Sequence, residues 1–587
     1  MSTALSVRST MNPLEADSRT PRSTTKSTIF PNPSHLTTLF RQRYHLVHQR
    51  VLRNEAFQAP SFSGKPIPTL HRSTTSLTPS QMNRITPIAN LLGRTGSTHL
   101  LLALLTVSPT GILALADLTG SIALDLQHAR PVPEEGAWFT PGMIVLVEGS
   151  YEEDYGNAGA GLVGSTGGIG GTIGGKFIGF SVAHPPCERR AETLGIADDG
   201  GVKTERGNHV LGPAFGWTDF LGVGSERATG ARMRRVRQRA LGPGSPHQGN
   251  GRVAIAAEVN LDNPATLVAL RTMLRSYASL PVTEFPMAIV LVGNFSSTAI
   301  MAGAEGHGSI EYKENFNALA SVLSEFPALI ARTTLTFVPG DNDAWPSSFM
   351  AGASNPVPRK AVPEVFTSRI RRAVAEANRE IGGRAQGRKE GEAIWTTNPA
   401  RLSWFGCVGE MVVFRDDVAG RLRRTAVRFS KDAAGEEEAM EDADGAGAEA
   451  QRRDREASVL ADVEAAIAAQ PMQLDPPAPP AGAPGSQPDT DTQTARRLTK
   501  TLLDQSHLSP FPLSTRPVHW DHAHALALYP LPSALVVADA EAPAFALVYH
   551  GCCVMNPGRI VEGRRGDRAR WVEFNVLEGR GVVKVEG

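Results

Sequence analysis

Two short apolar runs, residues 287–292 (MAIVLV) and 335–338 (LTFV), each end at a glycine beside a polar residue: Gly293-Asn294 and Gly340-Asp341. Runs this short and this apolar read as strands buried on both faces. Each follows a stretch of helical period. Leu267, Leu270 and Leu274 share one stripe of residues 264–277. Phe316, Leu319, Val322 and Leu323 share one of residues 312–326. A helix before each strand and a glycine loop after it spell α/β layering. In such folds the loops at strand carboxyl ends are where chemistry is placed. Residues 253–259 supply a further strand. The pattern resumes at 499–503 and continues through a strand at 534–539 and a late loop at 555–558.

The earlier part of the chain reads differently. Residues 1–35 are rich in Ser, Thr and Pro and are expected to lack order. Residues 36–60 form an amphipathic basic helix, with Phe40, Tyr44, Val47 and Val51 at helical spacing. Such a helix suits a phosphate or membrane surface, or docking on its own protein or a partner. Residues 61–84 are a linker. Short strands are expected at 101–107, 112–116, 122–126 and 143–148, broken by turns such as Asp117-Leu118-Thr119-Gly120. They suggest a small barrel of the OB type over 85–187. The glycine-rich run 156–175 lacks the GKS or GKT ending of a phosphate loop and reads as a loop between two strands. Residues 188–250 are a polar insertion with a basic cluster, Arg232, Arg234, Arg235, Arg237 and Arg239. Residues 251–587 form the α/β unit, interrupted at 431–496 by an acidic, Ala/Pro-rich insertion expected to be disordered, with a short helix at 457–469.

Composition excludes several classes. Over 587 residues, Lys plus Arg (59) balances Asp plus Glu (59), so no whole-chain field draws the protein to nucleic acid. Residues 100–107 are the longest apolar run, far short of the ~20 residues of a membrane span. No secretory signal is recognised at the N-terminus. Cys187, Cys407, Cys552 and Cys553 form no CxxC pair, which argues for free thiols in a reducing compartment. Aromatics near the barrel are few: Trp138, Phe139 and Tyr151. Single-strand binding uses stacked aromatics over a basic groove, so little independent DNA binding is expected of it. His519, Asp521, His522 and His524 lie close in sequence, but on this spacing they read as locally packed or solvent-facing side chains.

The loops themselves, 292–297 (VGNFSS), 338–346 (VPGDNDAWP) and 396–402 (TTNPARL), resemble in order and flanks those of calcineurin-like phosphoesterases. That family holds two divalent ions with Asp, Asn and His from GDxxD, GNHD and GHxH loops. Here Asn294 and Ser297 stand at the first loop, Asp341-Asn342-Asp343 replaces Asn-His-Asp, Asn398 sits where a histidine is expected, and Asn556 lies in a late loop without GHxH. The ligand set is incomplete, and Asn294, Ser297, Asp341, Asn342, Asp343, Asn398 and Asn556 read as loop-stabilising positions. Asp341 and Asp343 could still hold one ion weakly. No metal, cofactor or catalytic residue is expected.

The ordered series of segments is similar to the B-subunit family of eukaryotic replicative DNA polymerases, and within it to the epsilon type. It runs through FRQRYHLVHQR (40–50), ALADLTGSIALDL (114–126), IVLVEGSYEE (144–153), LVGNFSS (291–297), TLTFVPGDND (334–343), VVFRDD (412–417), LLDQSHLSPFPL (502–513) and VYHGCCVMNPG (548–558). The resemblance implies an OB-type β-barrel plus an inactive calcineurin-like α/β sandwich. It implies a nuclear, non-catalytic accessory subunit, with no membrane association. Its partners would be the C-terminal region of the polymerase epsilon catalytic subunit, the other epsilon subunits and replicative helicase components, with DNA met indirectly through the complex. The alternatives are a metal-dependent phosphodiesterase or exonuclease, or a B subunit of polymerase alpha or delta.

Overall fold

The computed structural model describes residues 32–57, 83–134, 136–153, 172–194, 251–300, 308–344, 355–381, 390–404, 408–429, 490–563 and 568–587. To these it adds residues 30, 235, 237–239 and 352 and the backbone of 5–9 and 473–474. The helix expected at 457–469, Arg232 and Arg234 of the basic cluster, most of the glycine-rich run and Cys407 lie outside the described residues.

The first elements are strand β1 (Leu5–Ser9) and helix α1 (Pro33–Arg53). At residues 5–9 and 33–35 these elements depart from the expectation that residues 1–35 lack order; residues 10–29 lie outside the described residues. The α1 start is set locally: Asn32 Oδ1 accepts from the Ser34 N–H at 3.1 Å, and Pro33 supplies a helical φ in the first turn. The helix docks on its own protein. Val47, Val51 and, just beyond it, Phe57 bury against Leu100, Leu102, Ile144 and Leu146 of the barrel.

The barrel contains β2 (Thr98–Val107), β3 (Leu113–Ala116), β4 (Ser121–Asp125), β5 (Arg130–Val132), β6 (Ile144–Glu152) and β7 (Thr172–Ala183). The strand order is β4-β3-β2-β6-β7-β5, and an added β4–β7 pairing closes the sheet on itself. Period-two alternation divides the residues. Leu101, Ala103 and Leu105 of β2 point into the barrel core, whereas Leu100 and Leu102 meet α1. The 117–120 turn is held by Asp117 Oδ1, which accepts from the N–H groups of Thr119 and Gly120 at 2.6 and 2.9 Å.

The remaining chain builds two sheets. The first strands and helices are β8 (Arg252–Ala256), α2 (Pro264–Ala278), β9 (Ala288–Val292), α3 (Ser309–Ser324), β10 (Thr334–Val338), α4 (Glu364–Glu380) and β11 (Glu392–Trp395). Then come β12 (Ala400–Trp404), β13 (Gly409–Arg415), α5 (Val418–Thr425), β14 (Gln473–Leu474) and α6 (Thr490–Gln505). The chain closes with β15 (Ala534–Ala538), β16 (Phe545–Tyr549), β17 (Cys552–Asn556), β18 (Val561–Glu562), β19 (Arg568–Asn575) and β20 (Arg580–Glu586). One sheet has the order β11-β10-β9-β8-β19-β18, with β20 on β19; the other has the order β1-β12-β13-β15-β17-β16-β14. Strands β8 to β11 are parallel neighbours, as are β13, β15 and β17.

The sheets pack face to face. Val253, Ile255, Val290 and Val292 meet Met411, Val413, Val536 and Met555 in the core between them. The opposite faces of the same strands serve other layers. Ile289, Leu291, Leu335 and Phe337 pack against α2, α3 and α4, burying Leu270, Phe316 and Ile370. Val412, Phe414, Leu535 and Val537 share a core with Leu498 and Leu502 of α6 and with the barrel interior. Each fully buried Leu, Val or Phe in these layers is worth about 1.5–3 kcal/mol of transfer free energy. Strand β1 completes an edge: Val7 lies opposite Leu402 of β12. The open backbone edge of β12 provides this pairing, and no local sequence window reveals it. Helix α6 starts at Thr490, inside the stretch expected to be a disordered insertion.

Candidate functional site

The carboxyl ends of β8, β9 and β10 in one sheet and of β13, β15 and β17 in the other bring their loops together. Sequence reasoning singled out seven residues there, and the structure sorts them.

Asp341, Asn342, Asp343 and Asn294 converge. The Asn342 N–H donates to Asn294 Oδ1 at 3.0 Å, and Asn294 itself reaches Glu258 Oε1 through its N–H and Nδ2. Asp343 folds back on its own loop. Its Oδ2 accepts from the Gly340 N–H at 2.6 Å, and its Oδ1 accepts from the Phe295 N–H and the Tyr312 hydroxyl at 2.9 and 3.0 Å. Burial nonetheless pushes its pKa up to about 6. Asn398 behaves as a strand partner, donating to the Arg415 carbonyl at 2.8 Å and accepting from the Arg415 N–H at 3.0 Å.

Two residues stand at the margin of this group: Ser297 meets it through its carbonyl, which accepts from Asn342 Nδ2 at 2.9 Å, and Asn556 is set apart. Ser297 is exposed and donates to Asp262 through its N–H and hydroxyl. Asn556 lies at the end of β17, where its Nδ2 donates to the carbonyls of Asp539, Ala542 and Pro543. Among the described residues it is linked toward the cluster through Asp539, whose pKa burial raises to about 7. Asp539 Oδ2 in turn accepts from the Ala419 N–H in the first turn of α5, at 2.7 Å.

The centre of the site is one that sequence reasoning missed. Arg516 grips Asp341 in a bidentate pair, Nη2 to Oδ1 at 2.6 Å and Nη1 to Oδ2 at 2.9 Å. Arg415 donates through Nε to Glu258 Oε1 at 2.6 Å and lies 3.2 Å from Asp417 Oδ1. Arg421 donates through Nε to Asp416 Oδ1 at 2.9 Å. Arg359 binds the carbonyls of Gly340 and Asp343 and lies 3.9 Å from Asp341. Burial by itself would raise the Asp341 pKa; the Arg516 and Arg359 guanidiniums overcome it and hold the carboxyl below its usual value. Asp416 goes the other way, raised by burial and by the nearby Asp341.

In this arrangement the oxygens of Asp341 and Asp343 are engaged within the protein. Both Asp341 oxygens face a guanidinium, and the Asp343 oxygens are taken by the Gly340 N–H of its own loop, the Phe295 N–H of the neighbouring loop and the Tyr312 hydroxyl. Glu258, Arg359, Arg415, Asp416, Arg421, Arg516 and Asp539 all escaped the sequence reading as site residues. Only Arg415-Asp416-Asp417, following an apolar strand, carried a local signal. Arg516 sits in a long connection with no periodicity to mark it.

The His519–His524 stretch is packed into a short 3₁₀ helix, Trp520–Leu526. Burial pulls the pKa of His519 and of His524 down to about 4, so both are neutral at physiological pH. Among the described residues no group of three or more His, Cys, Asp or Glu is placed to hold a metal.

The family described as the DNA polymerase alpha/epsilon B subunit matches residues 253–547, and the OB-fold domain described as DNA polymerase epsilon subunit 2-like matches residues 33–186. A Schizosaccharomyces pombe protein named as the B subunit of DNA polymerase epsilon is 32% identical over 537 residues, 91% of this chain and 68% of that protein. The chain belongs to the family of DNA polymerase epsilon B subunits. The Saccharomyces cerevisiae protein of the same name is 30% identical, across 93% of this chain and 68% of its own length. The Homo sapiens protein named DNA polymerase epsilon subunit 2 is 24% identical, across 90% and 72%. The OB family match includes α1, in keeping with the packing of that helix on the closed barrel.

Proposed function

We propose that the chain is a non-catalytic accessory subunit of DNA polymerase epsilon, acting in the nucleus in chromosomal replication. On this reading it binds and stabilises the C-terminal region of the catalytic subunit and joins it to the other epsilon subunits and the replicative helicase. DNA is met through the complex. The two-sheet unit is read as a calcineurin-like phosphoesterase sandwich that has lost its chemistry, with the OB barrel as its partner domain. The proposed division is 85–187 for the barrel and 251–587 for the sandwich, with insertions at 188–250 and 431–496.

One observation supports this reading above the others. The acidic groups at the strand ends are engaged by guanidiniums and backbone N–H groups. A hydrolase of this type needs those oxygens for ions that activate water and clamp phosphate. The barrel agrees. Trp138, Phe139 and Tyr151 are buried, and Phe139 stacks on His184 with ring centroids 4.4 Å apart. They are closed to bases; Phe180 is the exposed aromatic on β7.

The test is co-expression of the full chain with and without the C-terminal half of the epsilon catalytic subunit. A stable one-to-one complex that improves the solubility of this chain is expected. A well-behaved monomer that ignores the catalytic subunit and cleaves a phosphodiester with manganese would overturn the reading.

A further inference from the structure

Four guanidiniums, those of Arg359, Arg415, Arg421 and Arg516, stand among the carboxylates of Glu258, Asp341, Asp416 and Asp417. Together they carry the same total charge as two divalent cations. Their placement is specific. Arg516 is fully buried, holds both oxygens of Asp341 and has Nη1 3.8 Å from Asp416 Oδ1. It therefore bridges two carboxylates from different sheets, as a shared ion would. Asp416 Oδ2 is also buried and has no hydrogen-bond partner among the described residues.

We infer that the guanidiniums fill the cation places of the loop cluster, and that Arg516 holds the place of one divalent ion between Asp341 and Asp416. This rests on reading the loops as degenerate phosphoesterase loops. The residues do not fit a metal as they stand: both oxygens of Asp341 and Oδ1 of Asp416 are engaged by guanidiniums, and the buried positive charges repel a further cation. Removing Arg516 frees both oxygens of Asp341 and takes away the guanidinium that lies between Asp341 and Asp416, while Arg359 and Arg421 stay beside them. It leaves two buried carboxylates facing the vacated space with one cationic neighbour fewer, a set of hard oxygen donors suited to magnesium or manganese.

The experiment compares the full chain with Arg516→Ala, Arg516→Lys and the double variant Arg516→Ala/Asp341→Asn. Manganese binding is measured by EPR titration, and thermal midpoints are measured in EDTA and in manganese. Arg516→Ala is expected to melt below the wild type in EDTA, to recover in manganese and to bind the ion at least tenfold more tightly than the wild type. The wild type, Arg516→Lys and the double variant are expected to show no such response. If Arg516→Ala is insoluble, Arg516→Gln, which keeps bulk and a donor but no charge, is read in the same way. Manganese binding no tighter in the charge-removing variant than in the double variant would overturn the inference, as would equally tight binding by the wild type. Manganese-dependent phosphodiester cleavage by the wild type would instead sink the functional reading, which keeps the two failures apart.

Discussion

Arg50 of α1 donates through Nη2 to the main-chain carbonyl of Asp504 at 2.6 Å, tying the first helix to the end of α6. The same guanidinium reaches the Pro185 carbonyl at 3.0 Å, just beyond β7, and the Ser506 hydroxyl. Two further arginines extend the clasp. Arg43 donates to the Gly142 carbonyl and to Gln505, and Arg53 to Glu188 and the Tyr529 hydroxyl. The basic helix is thus a strap joining barrel and sandwich, and three of its arginines are spent within the protein.

Replacing Arg50 by Met should cost about 3 kcal/mol, because it strands buried carbonyls that water cannot reach. Urea unfolding of the full chain measures it. Arg50→Lys should recover little, since one ammonium on a flexible stem cannot reproduce the planar fork.

Gln505 acts as an extra strand partner for the barrel. Its Oε1 accepts from the Ile144 N–H at 3.0 Å and its Nε2 donates to the Ile144 carbonyl at 2.7 Å. Burial pulls the His184 pKa down to about 4, so the ring is neutral, and its Nε2 lies 2.9 Å from the Trp138 carbonyl, which can only accept. The His184 Nδ1 therefore accepts from Gln505 Nε2 at 2.7 Å. Gln505→Glu, which lacks the donor, should destabilise by about 2 kcal/mol or more at neutral pH. Equal melting curves for the two proteins would contradict this assignment.

Asp343 and Asp539 predict a pH dependence. Their folded pKa values, about 6 and about 7, lie above the ordinary 3.8. The folded state therefore holds more protons than the unfolded state between these limits. The contribution is fully present below the ordinary value and is lost as pH rises through the folded values. Stability from these two groups should fall between roughly pH 4 and pH 7. Asp539→Asn should flatten the upper part of that slope in denaturation measured at a series of pH values. An unchanged slope would show that Asp539 titrates normally.

Asn398→Asp should cost about 2 kcal/mol, since the new carboxylate cannot donate to the Arg415 carbonyl and sets an acceptor against it. Asn556→Asp should behave alike, because three carbonyls depend on its Nδ2. Thermal midpoints against the wild type measure both.

The sequence by itself determined the layers. Unbroken apolar runs such as 288–292 must be buried on both faces, stripes such as Phe316-Leu319-Leu323 must face a sheet, and alternation at Ile122 and Leu124 marks a barrel wall. These are local patterns, because burial follows the period of the element. The sequence also placed Asn294, Asp341, Asp343 and Asn398 at strand ends. It could not show what they bind, since their partners lie far along the chain: Arg516 is 175 residues from Asp341, and Arg415 is 157 from Glu258. An arginine in a loop looks the same whether it faces water or a buried carboxylate. Only the tertiary structure decided these: the packing of two sheets against each other buries the guanidiniums, the docking of α1 between the barrel and α6 makes Arg50 a clasp and not a surface charge, and the open side of β12 gives β1 an edge to pair with.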